Sequence, residues 1–166
     1  MTAERLKTAL FNNISGTDPN LCQHLATQFG DDMLLKDAVP DDYFELFLDI
    51  LETQELYEMS GVSDLFTTLY VEREKLTERQ KSRLIEAIVA NYHSFYDDSL
   101  CLVICDMVAR VWDPNIALGA LEEMAKTRHP KAMNAVCVAL EVILRHVERG
   151  SELYLRASEK YRQLMS

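Results

Sequence analysis

Residues 97–147 read DDSLCLVICDMVARVWDPNIALGALEEMAKTRHPKAMNAVCVALEVILRHV, and this stretch decides the fold class. Long apolar segments with helical patterning are separated by two short turns, Asp113-Pro114 and His129-Pro130. Aspartate before proline is a helix-start signal. The carboxylate accepts from the free N–H groups of the first turn, and proline at the first helical position lacks only an N–H that has no intrahelical partner. Pro130 opens a helix in the same way. The stretch therefore predicts helices at 98–112, 114–127 and 130–149. Gly119 falls inside the second of them, which suggests a close backbone contact there.

The same signals recur outward from it. Asp18-Pro19 and Pro40 open helices, and Ser63 and Ser151 are further caps. Thr77-Glu78-Arg79-Gln80 reads as a capping box, in which the threonine oxygen and the glutamine side chain satisfy opposite ends of the first turn. Gly30, Gly61 and Gly150 stand just past apolar segments, where a left-handed residue is wanted. Strand signals are nearly absent. Further helices follow at 3–13, 19–29, 40–59, 64–75, 78–95 and 152–165, giving an all-α chain of eight to nine antiparallel helices. A length of 166 residues, 48% hydrophobic and 27% charged, suits one domain spanning 1–166 with its own core. Helix-pair starts near 3, 40, 78 and 114 recur about every 37 residues, the period of two-helix repeats, with the more polar 152–165 as a terminal cap.

On this alternation of apolar helices with Asp-Pro and His-Pro turns, the chain resembles the HEAT and armadillo class of helical repeat proteins. The resemblance covers most of the chain and implies an α-solenoid. An irregular helical bundle is the alternative. Leu118-Gly119 is similar to part of the tetratricopeptide consensus, but the aromatic and small residues needed further on are missing.

Catalytic signatures are lacking: there is no phosphate-cradling glycine loop, nucleophile elbow, H-E-x-x-H or EF-hand loop. His93 and Asp97 lie one helical turn apart, yet two groups do not make a site, and His93 also suits a helix C-terminus. Asp31, Asp32 and Asp37 read as a solvated loop. Cys22, Cys101, Cys105 and Cys137 sit in apolar helical patterns without a C-x-x-C pair, as buried thiols of a reducing compartment do. The expectation is a protein that is not an enzyme and uses no metal or cofactor. The N-terminus lacks the apolar core and cleavage site of a secretory signal, and no run approaches the roughly 18 apolar residues of a membrane span. A cytoplasmic protein that does not enter membranes is expected.

Charge is the remaining signal. The formal net charge is −10, and between Asp31 and Asp64 eleven acids stand against Lys36 alone. The other 132 residues balance sixteen acids with sixteen bases. Nucleic acid is therefore disfavoured as a partner, since a duplex carries about one negative charge per 1.7 Å and is held by lysine and arginine. Projected at 100° per residue, the helix at 40–59 puts Tyr43, Phe44, Leu46, Phe47, Ile50 and Leu51 on one side and Asp41, Asp42, Glu45, Asp49, Glu52 and Glu55 on the other. Exposed helices usually interleave opposite charges three and four apart. Their absence here, in a chain otherwise balanced, points to a basic protein partner that meets the six carboxylates. Leu48, Leu56 and Tyr57 are its expected apolar anchors. Small size, no catalytic signature and a one-sided anionic helix resemble the bacterial immunity proteins and antitoxins, including the all-helical ones of contact-dependent inhibition. That resemblance implies a stoichiometric inhibitor of a toxin such as a nuclease. The alternative is a solenoid adaptor or chaperone holding a client peptide or helix in an apolar groove.

Overall fold

A computed structural model of the chain describes residues 2–16 and 18–166. Among the described residues it is all helical, with ten α-helices, two single 3-10 turns and no strand. The chain divides into two compact units, residues 1–87 and 88–166. No helix among the described residues is long and apolar enough to cross a membrane.

The first unit holds α1 (Ala3–Asn12), α2 (Leu21–Met33), α3 (Asp41–Glu52), the one-turn α4 (Gln54–Tyr57), α5 (Val62–Val71) and the start of α6 (Glu78–Asn91). In this unit α1 packs on α2 and α3, α3 on α4, and α2 along α5. Phe29 of α2, Phe47 of α3 and Phe66 of α5 form an edge-to-face chain with centroids 5.2 and 5.4 Å apart, and Tyr43 joins it from α3 at 5.2 Å. Aromatic pairs in this geometry add about 0.5–1.5 kcal/mol beyond the area they bury. α3 buries seven of its twelve residues, a broader face than a surface helix shows.

Local chemistry sets the boundaries. Asn13 closes the loop before α2, donating from Nδ2 to Asp18 O at 2.9 Å while its Oδ1 accepts from Asp18 N at 2.8 Å. Asp18 Oδ1 then takes Asn20 N, so α2 opens at Leu21, two residues later than the Asp18-Pro19 signal places it. The helix expected over 40–59 is broken at Thr53. This β-branched, weakly helical residue is extended (φ −115°, ψ 110°), and α4 starts afresh from it. The capping box forms: Gln80 N donates to Thr77 Oγ1 at 3.1 Å and Thr77 N to Gln80 Oε1 at 3.0 Å.

In the second unit α7 (Asp98–Val111) packs along α9 (Pro130–His146), α8 (Pro114–Met124) touches α10 (Glu152–Met165), and successive helices also pack on one another. Asp97, Asp113 and Ser151 each cap the following helix through a side-chain oxygen. Tyr92, fully buried, donates to Ala132 O at 2.6 Å and accepts from the Cys105 thiol at 3.1 Å, tying the turn before α7 to α7 and α9.

Two glycines depart from their expected roles. Gly30 ends no helix; it lies within α2, where an added Cβ would stand 3.4 Å from Thr68 Cγ2 of α5. Gly119 has open space where its Cβ would be, so no close approach requires it. Gly61 and Gly150 do adopt the left-handed backbone, at φ 78° and 85°. α5 begins at Gly61-Val62, which leaves Ser63 inside the helix rather than capping it.

Candidate protein-binding surface

The six outer carboxylates of the acidic segment lie on α3 and α4, but they are not equivalent. Asp41 accepts from Gln80 Nε2 at 3.2 Å, and Asp42 Oδ1 accepts from Tyr43 N at 2.9 Å, at the helix end whose dipole favours negative charge. Glu45 is gripped by both terminal nitrogens of Arg83 on α6, and Asp49 by Lys7 Nζ on α1. The Arg83 hydrogen bonds and charge hold the Glu45 carboxyl below its ordinary pKa, against the opposing effect of burial. Glu52 and Glu55 are exposed and form no ion pair among the described residues. The stretch that lacks its own cations thus borrows two. Because α1, α3 and α6 are successive neighbours, opposite charges face each other between helices instead of three or four residues apart within one.

The expected anchors fail for the complementary reason. Leu48, Leu56 and Tyr57 are 6%, 1% and 7% exposed, so they belong to the core and offer little surface for docking. Leu48 is on the wide buried face of α3, and the break at Thr53 re-aims the chain so that Leu56 and Tyr57 also enter the interior.

The break creates a feature that helical projection cannot show. Between the α1–α2 loop and α4 opens a cleft of about 360 Å³, lined on one side by Ile14, Asp18 and Pro19 and on the other by Glu55, Glu58 and Met59. Ile14 is 41% exposed. Among the described residues three carboxylates edge the cleft and no lysine or arginine lines it. Of these residues only Glu55 is in the expected set. Ile14 and Asp18 lie some forty positions away and are brought there by the stacking of α1–α2 on α3–α5.

Other candidates resolve into structure. Asp97 caps α7, accepting from Leu100 N at 2.8 Å, and His93 is exposed on a 3-10 turn. Burial pushes the Cys22 and Cys101 thiols up to about 11 and Cys105 higher still, against the low pKa that a reactive thiolate needs. Among the described residues no group of three or more His, Cys, Asp or Glu is placed to hold a metal ion. Of the other basic residues near 73–83, Lys75 pairs with Glu72 and Lys81 with Glu78, and near the C-terminus Arg145 pairs with Glu141 and Arg156 with Glu122. Compared with known proteins, the chain matches no family model, no curated sequence and no solved structure.

Proposed function

We propose that this is a non-catalytic, cytoplasmic protein that binds and neutralises a basic protein partner, acting as an immunity protein or antitoxin does against a toxin domain. One observation carries the reading: Asp18, Glu55 and Glu58 edge a cleft that also presents Ile14 and Met59, and no cation lines it. Carboxylates around apolar side chains are the negative half of an interface with a polar rim. The surrounding field has the same sign. Residues 1–87 contain seventeen acids and eight bases, a net charge of −9. A concentrated field raises encounter rates with a cationic partner roughly 10- to 1000-fold in favourable geometry. Asp42, Glu52 and Glu55 supply the long-range attraction, while Glu45 and Asp49, already paired, contribute less.

The test is to purify the products of the neighbouring reading frames, measure their binding to this chain, and follow any complex by stopped-flow kinetics at low and high salt. Affinity falls with ionic strength on this reading. Reversal of Glu52, Glu55 and Glu58 to lysine slows association about tenfold or more with little change in melting temperature. Salt-independent binding, or an unchanged rate in the triple variant, sinks the reading.

A further inference from the structure

The groove between α2 and α5 lies in the same unit but shares no lining residue with the α4 cleft. An added Cβ at Gly61 would stand 3.3 Å from Cys22 Cβ, and one at Gly30 would stand 3.4 Å from Thr68 Cγ2. The start of one helix thus meets the start of the other, and late positions meet late positions, so α2 and α5 run parallel. Above this line of contact is a groove of about 450 Å³, with Ala26, Thr27 and Gly30 on one bank and Thr67 and Thr68 on the other.

The floor is less polar than its residues imply. Thr27, Thr67 and Thr68 each turn the hydroxyl back to the carbonyl four residues earlier, at 3.1, 2.9 and 3.0 Å, so these donors are satisfied within their own helices. At the C-terminal end of the groove Leu34 is 73% exposed and Val71 63% exposed. Single exposed apolar residues are ordinary. Two from different helices at one end of one depression are a shaped apolar surface. Its rim is Asp31, Asp64 and Glu72, with no lysine or arginine among the lining residues. Lys75, from outside the lining, already pairs with Glu72, leaving Asp31 and Asp64 as the rim charges to be met.

We propose that this groove docks an amphipathic helix of a partner protein, with an apolar ridge seated between α2 and α5 and lysine or arginine flanks against Asp31 and Asp64. Shape favours a helix: residues 23–34 span about 16 Å, three turns, and ridges of one helix pack into the groove between others. Charge complementarity fixes the sign of the flanks. The inference stands apart from the α4 cleft and does not depend on it.

The probe is a synthetic helical peptide with leucines along one face and lysines on the others, alongside a scrambled peptide of identical composition. Both are titrated into the full chain by fluorescence anisotropy, with amide chemical shifts recorded. The ordered peptide binds more tightly than the scrambled one and shifts residues 23–34 and 64–72. Leu34→Asp with Val71→Asp, both at exposed positions, weakens binding roughly tenfold or more. At high salt, where the long-range field is screened, Asp31→Lys still weakens it, whereas Glu52→Lys with Glu55→Lys keeps the shifts at residues 23–34 and 64–72, which separates this site from the cleft. Equal binding of the scrambled peptide, shifts confined to the α4 cleft, or an unaffected Leu34/Val71 variant each overturns the proposal. So does sedimentation showing a dimer that this double variant dissociates, since a second copy would then be the occupant.

Discussion

Gln80 performs three tasks from one buried position. It completes the cap of α6, its Nε2 donates to Val39 O at 2.9 Å, and it reaches Asp41 on α3. Its replacement by alanine leaves Val39 O without this donor, and Thr77 N without its acceptor. A buried polar group left unsatisfied costs about 1–3 kcal/mol, so Gln80→Ala should lower the unfolding free energy by that amount, read as a lower urea midpoint with an unchanged slope. The cap was legible because it is local in sequence; the reach to residue 39 was not. Glycines show the same limit. A glycine between apolar segments is visible in the sequence, but what faces it is not, which is why the close contact expected at Gly119 is found at Gly30 instead. Gly119→Ala should stabilise by about 0.5–1 kcal/mol, since the added methyl meets open space and alanine loses less backbone entropy. Gly61→Ala should destabilise by about 1–2 kcal/mol because its φ is 78° and Cys22 Cβ is close. Thermal melts of the pair read both signs.

α3 shows where periodicity informs and where it misleads at the scale of an element. The inward set Tyr43, Phe44, Leu46, Phe47, Ile50 and Leu51 is buried as the 100° projection requires. The projection failed past Thr53, since it assumed one continuous helix. It also treated Leu48 as an edge residue, although α3 is enclosed widely enough to cover that edge. Leu56→Ala, at 1% exposure, should therefore cost about 2–5 kcal/mol of stability as a cavity substitution. Binding measured well below the melting temperature should stay nearly unchanged. A loss of affinity without a loss of stability would return Leu56 to the interface. The all-helical class and the caps at Thr77, Asp113 and Ser151 were legible because each depends on a few adjacent residues, whereas the break that makes α4 a helix of its own was not. The acidic cleft was not, because it joins the α1–α2 loop to α4 through tertiary stacking.

Over the whole molecule the buried thiols and phenols point one way. Burial raises the pKa of Cys22, Cys101, Cys105, Cys137 and Tyr92, and of Tyr43, which Asp32 assists by accepting its hydroxyl. A folded-state pKa above the unfolded one gives stability that is complete below the unfolded value and declines as pH rises toward the folded value. For the thiols the decline starts near pH 8.5–9 and, at Cys22 and Cys101, runs to about 11. The urea midpoint should thus hold steady through neutral pH and fall through that alkaline window; a midpoint rising there would contradict the burial of these groups. Thiol reagents at neutral pH should modify the native protein slowly and the unfolded protein at all four positions.

The ion pairs Lys7–Asp49 and Arg83–Glu45 join positions 42 and 38 residues apart. Neutrality on this face is therefore shared between hairpins, and drift in one places a demand on another. Descendants of this sequence that lose the lysine at 7 should tend to lose the aspartate at 49, and the arginine at 83 should change in step with the glutamate at 45. Glu52 and Glu55, with no such ion-pair counterpart among the described residues, should vary independently of both pairs.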